Sequence, residues 1–202
     1  MNASNAAYLF QPDKNFVEYD LGDRSIQCGR KADAFKLWLA WKAKGDLGWC
    51  LEVEHVNALG EGLERMIMDQ QATSSVAGCS FEGRFLMATP RSCTNVCFWY
   101  IPPRLVGELD MHIVTVDSMG ESVSPVSLVG VPDELRSEID GIAPKIKDRM
   151  QRMAGDGSAL IGFQRNKGLP NFFRLVLPGG KGLSDEVLLR MLKRMDELGK
   201  DL

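Results

Sequence analysis

A single arginine interrupts an apolar stretch near the end of the sequence, LPNFFRLVLPGG at residues 169–180. The alternation of side chains along a strand places Arg174 on the same face as Phe172 and Val176. A guanidinium keeps its charge in proteins, so an arginine that is withdrawn from water needs an anion beside it. Either a carboxylate of the protein or a ligand could supply that anion, and the strand alone leaves both alternatives open.

Residues near the start of the sequence could also take part in chemistry. Cys28 and Gly29 come just before a predicted helix, in QCGRKAD, and the positive end of a helix dipole favours a thiolate. Gly29 has no side chain, so a ligand or another chain could approach its backbone closely. Tyr8 lies in the leader NASNAAYLFQ. A small turn-filling thiol and a docking tyrosine are the simpler interpretations of Cys28 and Tyr8.

Composition excludes several classes of protein. The net charge of -3 gives no basic surface for nucleic acid or for an anionic membrane, and no apolar run is long enough for a transmembrane helix. The first residues do not have the pattern of a signal peptide. The five cysteines are an odd number without a Cys-x-x-Cys pair, so we predict free thiols, no metal site and a cytoplasmic location.

The apolar periodicity predicts an α+β domain in the second half of the chain. Its predicted strands are 94–103, 158–164 and 171–177. Its predicted helices are 142–153, with Pro144 in the first turn, and a last helix with Ser184 as N-cap that ends at Gly199. Residues 103–137, which contain no aromatic side chain, are predicted to be a loop-like insertion with a short strand at 112–116.

Two helices are predicted in the first half of the chain. The first, at 31–45, is apolar around most of its circumference and ends at Gly45, so we expect it to pack between other elements. The second runs from about residue 51 to residue 71. Neither helix, and no strand, carries a self-sufficient active site or a phosphate-binding glycine motif.

Several blocks of this sequence resemble, in order and spacing, the C-terminal part of the group II pyridoxal-phosphate-dependent decarboxylases. The blocks are NASNAAYLFQPDK, EYDLGDRSIQCGRKADAFKLWLAWKAKGDLG, TNVCFWYIPP, IAPKIKDRM and PNFFRLVL. Within that family the chain resembles glutamate decarboxylase and cysteine sulfinate decarboxylase. The resemblance implies a small C-terminal α+β domain of a fold-type I enzyme, at 46–202, with the tail of the α/β large domain at 1–45.

The resemblance also implies roles for the residues singled out above. Arg174 corresponds to the arginine that binds the α-carboxylate of the substrate. Tyr8 corresponds to a tyrosine on a mobile loop, which returns a proton to the carbon after decarboxylation in the neighbouring subunit of a homodimer. Cys28 and Gly29 correspond to the rim of the partner's pocket. A planar guanidinium suits the first role, because it holds a carboxylate by two parallel hydrogen bonds.

One departure from the family limits what this chain can do alone. The Asn-Pro-His-Lys stretch, whose lysine binds pyridoxal phosphate in the family, does not occur in the sequence. We therefore expect the C-terminal portion of a decarboxylase for glutamate or a related acidic amino acid, inactive by itself. The alternatives are a non-catalytic paralogue and a small anion-binding or dimerisation module.

Overall fold

The computed structural model describes residues 33–73, 75–76, 78–112, 128, 130–152, 161–166, 168–179 and 182–202. Tyr8, Cys28 and Gly29 therefore lie outside the described residues, as does most of the strand predicted at 112–116. The chain divides into two compact units, Met1–Leu51 and Glu52–Leu202. Among the described helices, none is long and apolar enough to cross a membrane.

The first long helix, α1 (Asp33–Thr73), is interrupted at Gly45, where the backbone takes a φ of 67°. This is the left-handed region, which glycine adopts without steric cost, so the predicted end of the first helix at Gly45 is confirmed. The indole of Trp41 donates a hydrogen bond to Asp46 across this break, with 2.6 Å between Nε1 and Oδ1.

The apolar face of the helix before Gly45 is not covered as we expected. Phe35, Leu37, Trp38 and Trp41 are between 48% and 58% exposed. The expectation that this helix packs between other elements is therefore not met within the described residues. Exposed apolar side chains in such number are unusual for a surface that faces only water.

A four-stranded antiparallel sheet forms the centre of the second unit. After the short strands β1 (Ser75–Val76) and β2 (Cys79–Ser80) come β3 (Arg84–Met87), β4 (Asn95–Ile101), β5 (Gly162–Asn166) and β6 (Leu169–Val176), and the sheet has the order β3-β4-β6-β5. The predicted strands at 94–103 and 171–177 are thereby confirmed, as is the antiparallel pairing of the last two strands.

Besides the later part of α1, three further helices accompany the sheet: α2 (Pro103–Asp110), α3 (Asp133–Arg152) and α4 (Asp185–Gly199). α3 and α4 pack on one face of the sheet. On that face Asp140 of α3 accepts a hydrogen bond from the backbone of Asn171. The same face carries the aromatic residues Phe85, Phe98, Tyr100 and Phe173. α4 begins as predicted, because the hydroxyl of Ser184 accepts a hydrogen bond from the backbone of Val187.

The prediction for residues 103–137 was wrong at both ends. Residues 103–110 form α2, in which Leu105 and Leu109, four positions apart, are buried. Residues 133–137 form the first turn of α3, so Pro144 lies inside that helix and not in its first turn. The lack of aromatic residues concealed these two segments, whose buried side chains are aliphatic.

A buried polar cluster fixes β3 and β4 against α4. The carboxylate of Asp196 accepts hydrogen bonds from the backbone of Glu82 (3.0 Å) and Gly83 (2.8 Å) and from the hydroxyl of Tyr100 (2.9 Å). Burial and the neighbouring Asp196 both raise the pKa of Tyr100. This cluster holds the face of β4 that looks toward the helices, and so it positions β4 itself, whose Cys97 pairs with Arg174 of the neighbouring strand β6.

Candidate functional site

Arg174 lies on the face of the sheet opposite α3 and α4. It sits in β6, the third strand of the sheet, with Cys97 of β4 as its partner on one side and Gly162 of β5 on the other. Val176, which shares this face, is 51% exposed, whereas Trp99 and Phe172 toward the other end are buried. Arg174 is therefore at the open end of this face, and its side chain is exposed.

Two side-chain amides bind the guanidinium of Arg174. The Nε of Arg174 donates to Oδ1 of Asn95 at 3.2 Å, and one Nη donates to Oε1 of Gln164 at 3.1 Å. Among the described residues no carboxylate forms an ion pair with Arg174. A guanidinium has five N–H donors, and these two bonds leave three of them for another acceptor.

The structure distinguishes between the two sources proposed for an anion beside Arg174, a carboxylate of the protein and a ligand. A protein carboxylate, the first alternative, does not pair with Arg174 in the part of the chain that the structure describes. The arginine is also exposed, so the condition under which it would need an anion of the protein, withdrawal from water, is not met. The structure therefore shows an exposed guanidinium that two amides hold in place, and a group of this kind is suited to binding a carboxylate by two hydrogen bonds.

Cys97 lies beside Arg174 on the neighbouring strand β4, and its thiol is uncharged. Burial raises the pKa of its thiol, while a hydrogen bond with Thr89 and the positive charge of Arg174 act in the opposite direction. Because burial is the largest of these effects, the thiol stays protonated at neutral pH. Its sulfur lies 3.9 Å from Oδ1 of Asn95, so the same amide oxygen contacts both Arg174 and Cys97.

The sequence located Arg174 but not the amides that hold it. Asn95 and Gln164 were available as polar residues within predicted strands, yet only the strand register shows that they flank Arg174. In the sequence Asn95 and Arg174 are 79 residues apart. Among the described residues there is also no group of three or more histidine, cysteine or acidic side chains that could hold a metal ion.

The sequence and the fold both match known decarboxylases. The pattern of the pyridoxal-dependent decarboxylase conserved domain matches residues 1–101. An acidic amino acid decarboxylase (GADL1) from Bos taurus is 38% identical over 201 residues, and the one from Homo sapiens is 37% identical. Each match covers 99% of this chain and 32% of the relative.

Among solved structures, mouse CSAD in its apo form is similar, with a TM-score of 0.60 and 29% identity. The match covers 94% of this chain and 33% of that structure. The chain belongs to the family of pyridoxal-dependent decarboxylases. It spans about a third of the length of these relatives and aligns with their C-terminal region, so its small α+β fold is the fold of that part of the family.

Proposed function

We propose that this chain is the C-terminal part of a carboxy-lyase that removes the α-carboxylate of glutamate or a related acidic amino acid, and that Arg174 binds that carboxylate. The observation that carries the proposal is the environment of Arg174. Its guanidinium is exposed, held by two neutral amides, and not paired with a carboxylate of the described residues. The relatives named as acidic amino acid decarboxylases support an acidic substrate.

In this proposal Arg174 orients the substrate carboxylate as well as binding it. Decarboxylation requires the breaking bond to be held in one direction, and a fixed guanidinium with two parallel donors holds the plane of a carboxylate. A mobile point charge would bind the same group without fixing its plane. The antiparallel pairing of β6 with β4 and β5 fixes the backbone of Arg174, and the amides fix its side chain.

Pyridoxal phosphate is the cofactor that family membership implies. When bound, it supplies the electron sink for decarboxylation. The residues present do not fit the whole cofactor site, since the chain contains no Asn-Pro-His-Lys stretch. We expect the chain to be inactive without a segment that carries that lysine.

The other proposed features concern residues outside the described part of the chain or partners of the whole protein. Tyr8 is proposed to return the proton after decarboxylation, and Cys28 with Gly29 to line the pocket rim of a partner subunit. The proposal includes a homodimer, a large-domain tail at 1–45, a small domain at 46–202 and a cytoplasmic location. The exposed apolar side chains before Gly45 support a packing surface in this tail.

The test of the proposal is Arg174→Lys in the complete protein that contains this chain. Lysine keeps the charge but cannot reproduce the planar pair of donors, so kcat/KM should fall about 100-fold, the scale on which misplacement of a reacting group reduces rates. The free energy of unfolding should change by less than about 1 kcal/mol, since an exposed side chain loses only hydrogen bonds to two amides.

A matched control is Arg152→Lys on α3, where the arginine is exposed and pairs with Asp148 one turn away. It should leave both kinetics and stability unchanged. Near-normal kinetics of a folded Arg174→Lys protein would contradict the proposal. Loss of anion binding by Arg174→Lys in a protein that shows no decarboxylation would favour the alternatives, a non-catalytic paralogue or a small anion-binding module.

A further inference from the structure

The acceptors around Arg174 differ in charge from those around most other arginines of the second unit. Ion pairs with carboxylates are formed by Arg84, Arg91, Arg104, Arg149, Arg152, Arg165 and Arg194. Arg174 instead donates to the amide oxygens of Asn95 and Gln164. Both amides come from the strands that flank β6, so they reach the guanidinium from opposite sides.

An amide and a carboxylate at these positions would have different consequences. Either group accepts a hydrogen bond and so restricts the rotation of the guanidinium. A carboxylate would in addition neutralise the charge and occupy donors that a ligand needs, because charged acceptors bind a guanidinium more strongly than neutral ones. The amides therefore orient the guanidinium while no carboxylate of the described residues neutralises its charge.

We propose that Asn95 and Gln164 are positioning residues that orient the Arg174 guanidinium while leaving its charge available to a carboxylate ligand. This inference rests on the proposed function, because it concerns the same arginine and explains how its charge stays available to the substrate carboxylate. It assigns neither amide a direct contact with the substrate. Their effect passes through Arg174.

The surroundings of the two amides agree with this role. Asn95 is half-buried, and its Oδ1 is fixed by two donors, Nε of Arg174 and the thiol of Cys97. Gly162, opposite Arg174 on β5, has no side chain to compete for the guanidinium. Among the described residues, the one atom within 4 Å of a Cβ added there would be the carbonyl oxygen of Arg174, at 3.9 Å, which is an ordinary contact distance.

The experiment places a carboxylate where each amide now lies. Asn95→Asp and Gln164→Glu nearly preserve shape and add a charge that competes with the substrate for Arg174. In the complete holoenzyme each should raise KM about tenfold, equivalent to about 1.4 kcal/mol, with a smaller change in kcat. KM is measured for the substrate turned over fastest among L-glutamate, L-aspartate and L-cysteine sulfinate.

The free energy of unfolding provides a second measurement, and we do not expect it to fall in the two variants although substrate binding weakens. The new carboxylate pairs with Arg174, so the free energy of unfolding should be unchanged or higher in both variants although binding is weaker. A merely structural amide would give lower stability and an unchanged KM. Gln164→Glu keeps the test decisive if Asn95→Asp does not fold, since Gln164 lies on the edge strand β5. The matched control for added charge is Gln151→Glu, at an exposed position of α3.

The outcomes separate the positioning role from the proposed function. Wild-type KM values in both charged variants, together with impaired Arg174→Lys kinetics, would overturn the positioning role alone. Wild-type kinetics in Arg174→Lys, or no turnover of any of the three substrates by the unmodified protein, would overturn the proposed function and the positioning role with it. Raised KM with retained stability, and no effect of Gln151→Glu, is the expected result.

Discussion

Replacing Gly199 by alanine should destabilise the protein, although glycine-to-alanine changes in helices usually have the opposite effect. Gly199 is the last residue of α4 and packs against the ring of Tyr100. A Cβ at this position would overlap the ring and would lie 2.8 Å from Cδ1 of Ile146. Tyr100 cannot retreat, because the backbone of Gly83 lies against its other end and Asp196 holds its hydroxyl.

The magnitude follows from two opposing effects. Removing a glycine from a helix interior stabilises the folded state by about 0.5–1 kcal/mol, and by less at a helix end. Forcing an extra methyl group into a packed core costs about 1–3 kcal/mol. We expect the steric cost to dominate and Gly199→Ala to lower the free energy of unfolding by about 1–2 kcal/mol.

Gly141→Ala is the matched control, because Gly141 lies within α3 and a Cβ there would meet no atom of the described residues within 4 Å. This variant should raise the free energy of unfolding by about 0.5–1 kcal/mol. The assay is urea unfolding of both variants and the unmodified protein, followed by near-ultraviolet circular dichroism. If Gly199→Ala were as stable as Gly141→Ala, the packing described around Tyr100 would be wrong.

Three further predictions concern stability alone. Tyr100→Phe should cost about 1–2 kcal/mol near neutral pH by removing a donor to Asp196. The raised pKa keeps Tyr100 protonated in the folded state, whereas a tyrosine in the unfolded chain ionises near pH 10. The free energy of unfolding of the unmodified protein should therefore fall by up to about 1.4 kcal/mol for each pH unit above pH 10. In Tyr100→Phe the free energy of unfolding should not show this part of the decrease. If urea titrations gave the same decrease with pH for both proteins, Tyr100 would not be its source. Ser184→Ala should cost about 0.5–1 kcal/mol by removing the N-cap of α4, and no measurable change would mean that its 3.4 Å bond to Val187 contributes nothing.

The sequence alone predicted those helices and strands that end at a glycine or proline or begin with a capping residue. The strand around Arg174 ends close to a proline and two glycines, and α4 begins with Ser184 followed by two acidic residues. Gly45 marked a real break in α1. At each of these positions the residue type itself imposes the local conformation, so the prediction did not depend on distant contacts.

The parts that were missed depend on tertiary packing or on a misleading residue. Pro144 suggested a helix start, but α3 begins at Asp133 and tolerates the proline in its interior. α2 has eight residues, and its helical signal is two buried leucines. The contacts of Asn95 and Gln164 with Arg174 depend on strand register, which no local pattern specifies. The resemblance to the decarboxylases suggested a role for Arg174 but not how the arginine is held.

The most direct test of the central claim is a structure of the complete holoenzyme with a bound acidic amino acid or an unreactive analogue. We predict that the α-carboxylate accepts two hydrogen bonds from the guanidinium of Arg174, at about 2.7–2.9 Å, while Asn95 and Gln164 keep their contacts with the arginine. A ligand carboxylate bound elsewhere, with Arg174 paired to a carboxylate of the protein, would contradict the account.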